Sequence, residues 1–162
     1  MSHFMRPQSF SDLLRWIERE YKEKDSIFGI HKSLFWQPKK ARFLVPDLFG
    51  GPLTSPIGPA AGPNTQLTQN IVASWLCGAR YMELKTVQIM DELEFGRPCI
   101  DVEDEGYNAE WSQELKLEQS VREYIKAWLL IPVLERLLGW EGAEGAGGLI
   151  FNMSVGYNLE GI

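Results

Sequence analysis

From residue 50 onward the chain alternates short apolar runs, closed off by Pro and Gly, with longer segments whose apolar residues recur at helical spacing. Residues 53–62 form the first run, which predicts a buried strand between turns. Residues 65–77 follow with Leu67, Ile71, Val72, Trp75 and Leu76 on one helical face, and Gly78 is placed to stop that helix. Residues 80–87 predict a second strand, and a long polar, acidic loop over 88–112 leads away from it. A helix over 117–138 comes next, with Val121, Tyr124, Ile125, Trp128, Leu134 and Leu137 on an apolar stripe and a kink expected at Pro132. The glycine-rich linker 139–148 then gives way to a third strand over 149–155. Strand, helix, strand, helix, strand is the grammar of an α/β protein with a parallel sheet. Strands that read as nearly continuous apolar runs are what a sheet covered on both faces requires.

Before residue 50 the pattern differs. Residues 10–24 predict a helix capped by Ser9 or Ser11, with Leu13, Leu14, Ile17 and Tyr21 on its apolar face. Residues 26–46 read as irregular and rich in aromatic and basic side chains (Phe28, Phe35, Trp36, Lys39, Lys40, Arg42), which suits an arm packed on a neighbouring element. The expected division is therefore a helical arm over 1–49 and the first part of a (β/α)8 barrel over 50–162. A complete barrel of that kind takes about 250 residues, so three strands read as the front portion of a longer protein.

Composition removes several classes. With 44% hydrophobic and 23% charged residues the chain matches globular proteins rather than disordered or fibrous ones. A net charge of -6 disfavours a nucleic-acid partner, which needs a basic face for phosphates. The acidic run 101–105 reads as a solvated loop. Cys77 and Cys99 are the two cysteines; they make neither a CxxC pair nor a disulfide framework, and a reducing compartment fits them. Arg15, Glu18, Arg19 and Glu20 interrupt any signal-like N-terminus, and the longest apolar run, 127–134, is broken by Pro132 and too short for a membrane span. The expectation is a cytoplasmic, soluble chain with no membrane partner.

In barrels of this type chemistry sits in the loops after the strands. Three clusters occupy such positions. In Gly58-Pro59-Ala60-Ala61-Gly62, small residues let backbone approach a flat ligand, or equally serve a tight strand-to-helix turn. In Glu83-Leu84-Lys85-Thr86, alternation places Glu83 and Lys85 on one face. A lysine there either pairs with Glu83 or reaches into the barrel mouth towards an anionic or electron-rich ligand, since an unpaired buried ammonium is costly. In the run 152–158 the asparagines offer uncharged amide donors and acceptors suited to heterocycle edges, although the spacing alone favours a turn, where Gly156 and Asn158 are at home. His3 and His31 lack metal-ligand spacing and read as surface residues, Cys77 as a small core residue, and the glycines of 139–148 as a connector, since no strand precedes them.

The run SPIGPAAGPNTQLTQNIVASWLCGARYMELKTVQ resembles the opening of dihydroorotate dehydrogenases and of the FMN domain of dihydropyrimidine dehydrogenase. DVEDEGYNAEW and FNMSVGYNLEGI, together with RPQSFSDLLRWIEREYKEKDSIFGI, resemble the N-terminal region of the bacterial selenate reductase subunit family, large flavin and iron–sulfur oxidoreductases. The resemblance implies the N-terminal portion of a TIM barrel of dihydroorotate dehydrogenase type, with FMN as cofactor of the complete barrel. It implies that Ala60, Ala61 and Gly62 lie against FMN, and that Lys85 and Thr86 match a strand-end Lys-Thr pair whose lysine reaches the flavin ring. It also implies that Asn108 and Asn158 contact a planar heterocyclic substrate, pyrimidine- or purine-like. Electrons would pass to other redox domains or subunits, with iron–sulfur clusters in regions downstream of this chain. The catalytic cysteine or serine of the family and its phosphate-binding loops have no counterpart here, so a flavin-free structural barrel and an inactive fragment are the alternative expectations.

Overall fold

The computed structural model describes residues 5–36, 53–85, 100–101, 107–108, 115–140 and 149–153, with the side chains of 63, 100, 101, 107 and 108 outside that description. Helix α1 spans Phe10–Lys24. It begins there because Ser9 Oγ accepts from the Asp12 N–H at 3.1 Å, satisfying one first-turn amide, and it ends at Asp25 in a left-handed conformation. Leu13 and Ile17 are its buried residues, while Leu14, expected on the same face, is exposed.

The segment expected to be irregular starts with a hairpin. Strands β1 (Ser26–Ile27) and β2 (Ile30–His31) pair antiparallel, with Ile27 opposite Ile30. The loop residues Phe28 and Gly29 both have positive φ, 50° and 80°, as a two-residue hairpin turn of mirror-image type demands. A phenylalanine in that conformation is unfavourable, and for that reason the sequence concealed the turn. A short 3-10 turn, Lys32–Leu34, follows, its Lys32 amide met by Asp25 O and its Ser33 amide by the exposed His31 ring. The arm is then pinned to the barrel part: the Trp36 N–H donates to Leu76 O at 2.7 Å, and Phe35 packs edge-on against Trp140.

Helix α2 (Thr68–Leu76) buries Ile71, Val72, Trp75 and Leu76, the residues its periodicity singles out, and Gly78 at φ 108° closes it. Cys77 is exposed rather than in the core, because it lies one position beyond the buried face. Strand β3 (Tyr81–Leu84) pairs in parallel with β6 (Ile150–Met153), Met82 opposite Phe151 and Glu83 opposite Asn152. On the other edge of β3 lie residues 57–59, where Ile57 O accepts from the Arg80 and Tyr81 amides and Pro59 O from the Glu83 amide. Acceptors two residues apart matched to donors two residues apart mark this edge as parallel as well. Three chain segments thus run side by side in one direction. The described strands do not close a barrel.

Inside the stretch expected to be one polar loop, β4 (Ile100–Asp101) and β5 (Tyr107–Asn108) form a small antiparallel pair. The acidic residues between them masked two-residue strands too short to show alternation.

Helix α3 (Leu117–Leu137) spans the predicted range with Pro132 inside it, but its buried stripe shares only Tyr124 and Leu134 with the predicted one. Ser120, Glu123, Tyr124, Ala127, Leu130, Ile131 and Leu134 are buried, whereas Val121, Ile125, Trp128 and Leu137 are about half exposed. The inward face takes a carboxylate because Glu123 satisfies the start of α2: its Oε2 accepts from the Thr68 N–H at 2.8 Å and from Thr68 Oγ1 at 2.6 Å. Lys126 Nζ pairs with the same carboxylate and donates to Gln8 O, tying the residues before α1 to α3. A hydrophobicity pattern cannot foresee a buried charge that caps a neighbouring helix. One core runs through the described residues: Leu13, Ile17, Ile27 and Phe35 from the N-terminal part join α2, α3, Met82 and Leu84.

Candidate functional site

The sheet separates its two faces by alternation. Met82 and Leu84 are buried in the core beneath α2 and α3, and Phe151, opposite Met82, packs against the same core and edge-on to Trp128. Tyr81 and Glu83 point the other way and are half-buried; Lys85 continues their alternation, and Asn152 joins them because paired residues of parallel strands share a face. This opposite face is turned away from α2 and α3. At its carboxyl end lie the segment 60–62, Lys85 and Asn152, the end where barrels of this class place their chemistry.

Segment 60–62 is a ledge of small residues, with Ala60 exposed and Ala61 and Gly62 half-buried. It has no long side chain to fix its shape, so its neighbours do so. Gly62 O accepts from the Thr65 N–H and the Thr65 hydroxyl, each at 3.0 Å, and Thr65 Oγ1 is 3.2 Å from the Gly62 N–H. The Ala61 N–H donates to Glu83 Oε2 at 3.2 Å. Gly58 is required just before: a Cβ there would overlap the Tyr81 carbonyl and lie 3.2 Å from Tyr81 Cα, so only glycine lets the two strands approach this closely.

Lys85 is half-buried at the end of β3, and its carbonyl accepts from the Tyr124 hydroxyl at 2.7 Å, which anchors the strand end to α3. Burial, with the Glu123 carboxylate adding to it, pushes the Tyr124 phenol well above its ordinary value, so it stays a donor. At the opposite end of β3 Arg80 is fully buried. Its Nη1 donates to Trp75 O and Ala79 O at 2.9 and 2.8 Å, and its guanidinium lies 5.5 Å from the Trp75 ring centre. Burial pulls Arg80 down to about 10, with the Glu135 charge opposing that shift. A groove of about 490 Å³ between residues 7–9 and α3 lies around Lys126 and holds none of the predicted site residues.

Of those predicted residues, Ala60, Ala61 and Gly62 follow the segment that bonds to β3, with Ala61 bonded to Glu83, and Lys85 is the residue directly after β3. Asn108 has its backbone in β5 and its side chain outside the described residues; Thr86 and Asn158 lie outside them altogether. The sequence offered Glu83 only as a partner for Lys85 and missed its bond to Ala61, although a carboxylate two residues before a strand-end lysine was the visible signal. Thr65, three residues after Gly62 at the start of a helical turn, was legible as a capping residue and went unused. Among the described residues no group of three or more His, Cys, Asp or Glu is placed to hold a metal ion. No helix among them is long and apolar enough to cross a membrane.

Residues 28–162 match the family described as "Oxidoreductase YgfK, N-terminal TIM-barrel domain". The chain belongs to that family. It is 51% identical over its whole length to proteins named "Putative oxidoreductase YgfK" from Escherichia coli strain K12 and from Escherichia coli O157:H7, of which it covers 15%. No solved structure matches it. The three parallel segments are accordingly strands of a TIM barrel, and 60–62, Lys85 and Asn152 lie towards their carboxyl ends.

Proposed function

We propose that this mouth is the front half of an FMN site in an oxidoreductase of dihydropyrimidine dehydrogenase type, acting on a planar pyrimidine- or purine-like heterocycle and exchanging electrons with further redox centres of the full-length protein. The observation that carries the reading is the pairing of a side-chain-poor ledge, Ala60 to Gly62, with Lys85 at the end of the adjacent parallel strand. A flat ring needs a surface from which nothing projects, and the ledge supplies one. An ammonium beside the ring favours added electron density, and Lys85 follows β3 in step with the alternation of Tyr81 and Glu83. Asn152 brings an amide to the same side without adding charge. The donor set therefore fits a flavin ring, while the phosphate sites of such barrels follow strands seven and eight, beyond the strands described.

Bound flavin would supply the two-electron chemistry, and the protein's part is placement and electrostatics. Lys85 would sit beside the ring and offset charge, the ledge would take the ring's face, and Thr86, Asn108 and Asn158 are the residues assigned to the remaining flavin and substrate contacts. The full-length protein is expected to purify yellow and to release FMN on denaturation, whereas a colourless, folded protein that takes up no added FMN sinks the proposal. Lys85→Ala in a folded protein is expected to lower FMN affinity.

A further inference from the structure

Glu83 stands on the face that the FMN reading assigns to the flavin, where a second negative charge opposes what Lys85 provides. Its contacts explain why a carboxylate occupies that position. The Glu83 N–H donates to Pro59 O at 3.2 Å, and Glu83 Oε2 accepts from the Ala61 N–H at 3.2 Å. One residue of the second strand thus grips two residues of the first strand's end, one through its backbone and one through its side chain. Beyond Ala61 the ledge is held by Thr65, so Glu83 and Thr65 grip it from its two sides. Ala60, Ala61 and Gly62 have no side-chain polar atoms with which to hold themselves, and small-residue backbone has much conformational freedom to lose.

We infer that Glu83 is the positioning residue of this site, templating the ledge through the Ala61 amide. The inference rests on the FMN reading for its ligand but not for the grip itself. A side-chain acceptor is what matters, so Glu83→Gln, which keeps a carbonyl oxygen, is expected to rescue what Glu83→Ala loses.

The test uses the full-length protein in three forms: wild type, Glu83→Ala and Glu83→Gln. FMN affinity is measured by fluorescence quenching on titration, and amide exchange is followed in peptides spanning 58–66. The expected result is FMN binding weakened about tenfold in Glu83→Ala, consistent with leaving the Ala61 N–H without its acceptor. Glu83→Gln is expected within about threefold of wild type, with a raised flavin midpoint potential because a negative charge beside the ring has gone. Exchange at the ledge should quicken in cofactor-free Glu83→Ala and not in Glu83→Gln. Wild-type affinity in a folded Glu83→Ala overturns the inference, as does a Glu83→Gln protein as weak as Glu83→Ala. Should wild type itself refuse FMN, the flavin reading falls, and ledge exchange in the cofactor-free proteins still decides whether Glu83 holds Ala61. If Glu83→Ala does not fold, Glu83→Gln decides: near-wild-type affinity with a raised potential upholds the inference, and a large loss of affinity refutes it.

Discussion

Replacing Gly58 by alanine adds a single methyl group where the structure has no room for it. The added carbon would overlap the Tyr81 carbonyl, and real Cβ contacts essentially never fall below 3.0 Å, so the two strands must part. Three backbone hydrogen bonds join them at this place: Arg80 N–H to Ile57 O at 2.9 Å, Tyr81 N–H to the same oxygen at 3.3 Å, and Glu83 N–H to Pro59 O at 3.2 Å. At about 1 kcal/mol net for each, their loss comes to about 3 kcal/mol. That corresponds to roughly a hundredfold faster amide exchange through local opening of this strand edge. Peptide-resolved native-state exchange of the full-length protein reads this directly at 57–60 and 81–84. Gly29→Ala serves as the comparison: its φ is +80° but nothing lies within 4 Å, so only the left-handed backbone cost of about 1–2 kcal/mol applies, confined to the hairpin. Exchange at 81–84 unchanged in Gly58→Ala would refute the close approach.

Glu123→Ala strips the acceptor from Thr68 and Lys126 in a buried place and is expected to cost about 3–5 kcal/mol by denaturant titration; Glu123→Gln, which keeps an acceptor for Thr68, is expected to cost less. The half-exposed stripe of α3 makes the opposite prediction: Ile125→Lys and Val133→Lys should each change stability of the 162-residue chain by no more than about 0.5 kcal/mol. Ser9→Ala removes the cap of α1 and should cost about 1 kcal/mol of helix stability, seen as faster exchange of its first-turn amides. Hydrogen bonds from Ser9 and then Arg15 hold the Asp12 carboxyl below its ordinary 3.8, so its contribution is complete above that value and is lost as pH falls through the lowered one. An NMR titration of Asp12 should show that lowered midpoint, and Ser9→Ala should move it upward.

The legible parts of this fold are those where one rule decides. Helix α1 was readable to the residue because Ser9, Leu13 and Ile17 all announce the same element. The parallel sheet was readable because apolar runs alternate with amphipathic ones. The errors lie where two rules compete. The face of α3 was read in part: Tyr124 and Leu134 are buried as expected, but Glu123 belongs inside as a cap for α2, while Val121, Ile125, Trp128 and Leu137 remain half outside. The hairpin at 26–31 was hidden by a phenylalanine with positive φ, and Cys77 sits one position past the buried face of its helix. That the small residues 60–62 end one strand-like segment and that Lys85 ends the next was legible from residue type and position. The grip of Glu83 on Ala61 was not, because it joins residues 22 apart through a geometry that only the paired strands create.

The central claim is that the ledge and the end of β3 receive a flavin. Amide exchange of the full-length protein with and without FMN tests it most directly. Added protection in the peptides covering 60–62 and 83–85, saturating at one FMN per chain, is the predicted result. Protection that appears only elsewhere, or no change at these two segments at saturating FMN, would contradict it.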